Sequence, residues 1–107
     1  MSKTPFNKKG ERATEILELI HSYVCGPLST HARGSYLYFV TFIDDYSRYG
    51  YVYLMKYKSE TVEKFKEFRA EVEKQLGRSI KTLRSDRGGE YLSQEFQSYL
   101  TDNGILS

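Results

Sequence analysis

Residues 39–68 read "FVTFIDDYSRYGYVYLMKYKSETVEKFKEF", and two periodicities meet inside this stretch. A strand running from about Tyr36 to Ile43 is nearly continuous in β-branched and aromatic residues, a composition expected of a strand covered on both faces. Asp44 to Gly50 supply the Asp, Ser and Gly that suit a turn. Residues 51–56 then alternate, with Tyr51, Tyr53 and Met55 on one face and Val52 and Leu54 on the other, so the two strands form a hairpin. From Ser59 to Leu76 the period changes. Val62, Phe65, Phe68, Val72 and Leu76 recur at helical spacing, Ser59 is placed to cap the helix, Glu60 suits the first turn, and Gly77 stops it.

Working outward, residues 13–25 form a lead-in and a strand built on Ile16, Leu17, Leu19 and Ile20, which Gly26-Pro27 ends. A polar loop spans residues 28–35. Beyond the helix, residues 80–84 read as a fourth strand and Ser85 to Gly89 as a loop. Ser93 caps a second helix whose buried stripe is Phe96, Tyr99 and Leu100, with Gly104 just past its end. Ile105 and Leu106 begin a fifth strand. The order β-β-β-α-β-α predicts a mixed α/β sheet, a hairpin meander followed by βα units.

A chain of 107 residues makes one small domain, with residues 1–12 a basic mobile tail and 13–107 the core. The formal charge of +2 is too small to argue for nucleic acid by itself. In the tail, Lys3, Lys8, Lys9 and Arg12 face only Glu11. A solvated tail and a set of phosphate contacts both fit that pattern. The ten tyrosines suit half-wet strands, and stacking on unpaired bases is the alternative. Cys25 is the lone cysteine, which sets an intracellular, reducing location, nucleus or cytoplasm, as the expectation. No run of eighteen apolar residues suggests a membrane span.

The segment most suggestive of chemistry is Leu83-Arg84-Ser85-Asp86-Arg87-Gly88-Gly89-Glu90-Tyr91. A carboxylate at the end of a strand, followed by two glycines, can project beside backbone open to a ligand. It can equally be a turn whose Asp caps its own backbone. Taken together, the hairpin-helix stretch above, "LRSDRGGEYLSQEFQSYL" at 83–100 and "HSYVCGPL" at 21–28 closely resemble the integrase core of Ty1/copia retrotransposons, over about residues 10–106. The resemblance implies a ribonuclease H-like fold with strand order 3-2-1-4-5. It also implies a three-carboxylate site holding two Mg2+ or Mn2+ ions roughly 3.5–4 Å apart for in-line phosphoryl transfer in DNA integration.

Carried over by position, the family's second acid falls on Asp86. The first falls on Tyr23, and the third belongs to a helix beyond these residues. A neutral phenol cannot bridge two Mg2+ ions as a carboxylate does, and one aspartate offsets a single charge of four. Asp86 therefore holds at most one ion weakly, and no stably bound cofactor is expected. Asp44 and Asp45 do not substitute. If the first two strands are antiparallel, Tyr23 falls near residue 36, about seven residues or roughly 23 Å from Asp44. The two aspartates are read as turn residues, Arg48 pairing with them, and Glu90 is given no role. His21 and Cys25, with only His31 besides, do not make a zinc site, and Cys25 is read as a buried small residue.

The resemblance further implies helices on both faces of the sheet, of which this sequence holds two. The chain is thus expected to be truncated after its second helix, and the uncovered sheet to favour self-association or a protein partner. The expected function is that of an integrase-derived core, inactive in phosphoryl transfer. The alternative is a module that binds nucleic acid or protein and interferes with or regulates a partner.

Overall fold

The computed structural model describes residues 12–28, 37–85 and 93–107. Strand β1 (Leu19–Cys25) lies between β2 (Tyr38–Asp44) and β4 (Thr82–Ser85), with β3 (Gly50–Met55) outside β2, so the sheet order is β3-β2-β1-β4. β1 is antiparallel to β2 and parallel to β4, while β2 and β3 form the expected hairpin. Leu106 makes a parallel bridge to Thr82, so the first residue pair of a fifth strand stands outside β4 and the order matches 3-2-1-4-5.

Helix α1 (Thr61–Leu76) and helix α2 (Gln94–Asp102) cover the same face of the sheet. Period decides which side chains they meet. Ile20, Val40, Phe42, Met55 and Leu83 alternate inward and are fully buried, beneath Phe65 and Phe68 of α1 and Phe96 of α2. Phe42 stacks on Phe68 with ring centroids 4.8 Å apart, and Phe65 reaches Phe96 at 5.6 Å. Gly77 ends α1 in the left-handed conformation at φ 67°, as its position at the end of the apolar repeat predicts. Ser93 caps α2, its hydroxyl accepting from the Phe96 amide at 3.1 Å.

Three expectations change. Ser59 does not cap α1. Lys58–Glu60 form a 3₁₀ turn before the helix, and the cap position is Glu60. The Thr61 hydroxyl donates to the Lys58 carbonyl at 2.7 Å, which makes the tighter turn self-sufficient. Second, β2 is covered on one face only. Phe39, Thr41 and Ile43 are half-buried, and their neighbours Val52 and Leu54 are 62% and 43% exposed, because both described helices pack on the opposite side. Third, Cys25 is exposed. It ends β1 on that uncovered face, two residues beyond Tyr23.

The pairing register also differs from the one expected. Tyr23 pairs with Thr41, not with a residue near 36, so it stands three residues from Asp44, about 10 Å along the strand. The direction of pairing was readable from the meander; its offset is set by residues between the strands that carry no register signal.

Candidate functional site

The β1–β4 pair organises the region to which the sequence points. The ladder runs from Leu19–Thr82 through His21–Arg84 to Ser22–Ser85, one residue short of positions 23 and 86. Ser22 faces the core and is fully buried. Tyr23 faces the other way, 38% exposed on the open side of the sheet, in the same row as His21 and Cys25. Expectations for Lys3, Lys8, Lys9, His31, Asp86 and Glu90 fall outside the described residues.

Asp44 and Asp45 are structural, and more so than a turn alone requires. Asp44 accepts from the Leu17 amide at 2.7 Å through one oxygen and from the Ser47 amide at 2.7 Å through the other. The first contact holds Leu17, 1% exposed, at φ 67°. Asp45 accepts from the Ala13 amide at 2.8 Å and pairs with His21 Nε2 at 2.8 Å. Arg12 and Arg48 approach the same carboxylate at 3.7 and 3.8 Å. Burial acts to raise the Asp45 pKa, but the Ala13 N–H, His21 and Arg48 outweigh it and hold the carboxyl below its ordinary value. The Arg48 contact follows the sequence reading. The His21 and lead-in contacts span 24 and 32 residues, and no local pattern announces them. Arg12, for which a solvated tail and a phosphate contact both fitted the sequence, lies 3.7 Å from Asp45 with its side chain 49% exposed.

These assignments bear directly on a two-metal centre. The Asp45 and Asp44 oxygens are already engaged, the first-acid position of the resemblance holds a phenol, and His21 is turned toward Asp45. Among the described residues, no group of three or more His, Cys, Asp or Glu is placed to hold a metal ion. The described residues therefore do not fit a two-ion site. No described helix is long and apolar enough to cross a membrane.

The model of the integrase core domain family matches residues 20–107. The chain belongs to the integrase core family. It is 47% identical over 103 residues to the retrovirus-related Pol polyprotein from transposon TNT 1-94 of Nicotiana tabacum, covering 96% of this chain and 8% of that protein. The Pol polyprotein from transposon RE1 of Arabidopsis thaliana is 34% identical over 97% of this chain and 7% of its own length. This integrase core thus spans under a tenth of the curated relatives it matches. Among solved structures, the HTLV-2 integrase catalytic core domain in complex with magnesium superposes with a TM-score of 0.65 at 23% identity, covering 89% of this chain and 61% of that one. That likeness establishes the ribonuclease H-like fold. The Ty1/copia resemblance drawn from the motifs holds, and the magnesium belongs to the viral protein.

Proposed function

We propose that this integrase core, in the 107 residues given, keeps the family's scaffold without its metal-dependent phosphoryl transfer. Tyr23 carries that reading. By the motif resemblance the family's first acid falls on Tyr23, one residue past the last β1–β4 pair, Ser22–Ser85. Here that position carries a phenol. Two divalent ions bring four positive charges and need bridging carboxylates, and Asp86 supplies one. The third acid of the family is not within these residues.

The test is an assay on labelled DNA ends and supercoiled plasmid in Mg2+ or Mn2+. The expected result is neither nicking nor strand joining above a metal-free control. Cation-dependent products that Asp86→Ala abolishes would overturn the reading.

A binding role for the same scaffold is the second reading. The open sheet face, with Val52, Leu54, Tyr23 and Leu37 exposed, supports it, since a contiguous apolar surface favours association.

A further inference from the structure

At the end of the sheet away from Tyr23, where β2 closes on Asp44, the lead-in, the hairpin turn and the last turn of α1 enclose a cleft of about 250 Å3. Its floor is Leu17, Phe68 and Val72, all buried, with Tyr51 edge-on to Phe68 at 5.2 Å between centroids. Its rim is open to solvent, Tyr49 being 73% and Leu76 43% exposed. Asp44 also lines the cleft, but its two oxygens accept from the Leu17 and Ser47 amides, each at 2.7 Å. With that carboxylate satisfied, the cleft offers an occupant mainly apolar and aromatic surface. Sites for whole small molecules measure roughly 300–1,000 Å3. This one is smaller and suits a single aromatic side chain.

The same corner receives the chain from its N-terminal arm. The Ala13 amide donates to Asp45 at 2.8 Å and Arg12 lies 3.7 Å from that carboxylate; Asp45 is the neighbour of Asp44. Phe6 stands six residues before Arg12 and is the one aromatic among residues 1–11. Six residues span at most about 20 Å, enough to bring the ring from Asp45 to the adjoining cleft. Pro5 restricts the chain beside it, which lowers the cost of ordering. Charge favours the same fit. Gln75 lines both the cleft and a groove that continues along α1 past Glu71 and Glu67, one and two turns earlier on the same helix face. Lys64 lies 3.7 Å from Glu67, whereas Glu71 has no ion pair among the described residues. Lys8 and Lys9 follow Phe6 by two and three residues, and one helical turn is about 5.4 Å, within the reach of a lysine.

We propose that residues 4–9, Thr-Pro-Phe-Asn-Lys-Lys, dock in this cleft within the same chain. Phe6 seats between Tyr49, Tyr51 and Leu76, and Lys8 and Lys9 lie toward Glu71. The arm is then a strap that ties the lead-in to the hairpin turn and to α1, and its lysines serve the fold in place of phosphates. This inference goes beyond the reading of metal chemistry and does not depend on it.

The chain contains no tryptophan, so Phe6→Trp in the full chain reports on its own surroundings. Its emission should be blue-shifted, and less quenched by acrylamide, than that of the same variant unfolded in urea. The shift should persist over about a hundredfold dilution, because tethering holds the arm at an effective concentration on the order of millimolar. Leu76→Asp should return the emission to the unfolded value, and Tyr49→Ser, on the exposed rim, should act in the same direction. Glu71→Lys should reduce the shift in part, at low salt most clearly. Ser2→Trp, with Phe6 kept, should emit as it does in urea. Both rim positions are exposed, and circular dichroism spectra matching the parent keep a folding defect from mimicking the effect. Unfolded-like emission from folded Phe6→Trp, a shift untouched by Leu76→Asp or by Glu71→Lys, or an equal shift in Ser2→Trp would each overturn the proposal. A shift lost on dilution would assign the cleft to the arm of a second copy and overturn it as well.

Discussion

At the scale of single residues, Asp45 is the side chain on which the lead-in depends. It is 5% exposed and joins Ala13, His21, Arg12 and Arg48 at one carboxylate. Asp45→Asn keeps the shape and removes the charge, and should cost about 1.5–3 kcal/mol in urea unfolding at pH 7, as for hydrogen bonds to a charged group. Because the folded pKa lies below the unfolded value of 3.8, the ionised Asp45 contributes its stability above that pH. The contribution fades as pH falls through the lower folded value. Urea midpoints measured from pH 5 to pH 2 should fall for the parent, and Asp45→Asn should flatten that part of the decline. Tyr53, pushed up to about 12 first by burial and then by Glu71 and Glu67, stays neutral throughout.

These residues also show where sequence reasoning reaches its limit. The two aspartates were legible as turn residues, because Asp, Ser and Gly at such spacing have few other uses. That Asp45 reaches back 24 residues to His21 was not, since a hydrogen bond across strands leaves no local period. Cys25 was misjudged for a related reason. Its type favours burial, but its place on the open sheet face decided the outcome.

At the scale of elements, the strands and helices were legible because their apolar residues recur at 2 and 3.6 residues. The aromatic cluster between α1 and β2 is the direct product of that pattern. Phe65 is fully buried and touches Phe42, Phe68, Phe96 and Tyr99. Phe65→Ala should therefore cost about 3–5 kcal/mol, read as a lowered urea midpoint with an unchanged slope. Loss of less than about 1 kcal/mol would mean that α1 is not anchored through this ring. The β1–β2 register was not legible, since the sequence between two strands carries no signal of how far one slides past the other. The correction brings Tyr23 nearer the aspartates without making them ligands, because their oxygens are occupied.

At the scale of the molecule, both described helices lie on one side of a sheet whose other side keeps Val52 and Leu54 in solvent. The family resemblance made the fold legible almost throughout. The candidate site was legible only as a list of positions, because the resemblance puts one acid position on Tyr23 and Asp86 falls outside the described residues. An open apolar face predicts association. Size-exclusion chromatography with light scattering should show species above the 12.5 kDa chain mass and binding of a dye that reports exposed apolar surface. A sharp monomer with no dye response would contradict this.

We propose that these residues do not hold a pair of divalent cations. Titration of the purified chain with Mn2+, followed by the electron paramagnetic resonance signal of the free ion, tests it directly. The expected result is no pair of bound ions per chain, with at most one weak site that Asp86→Asn removes. Loss of signal equivalent to two tightly bound ions per chain, sensitive to Asp86→Asn, would contradict it.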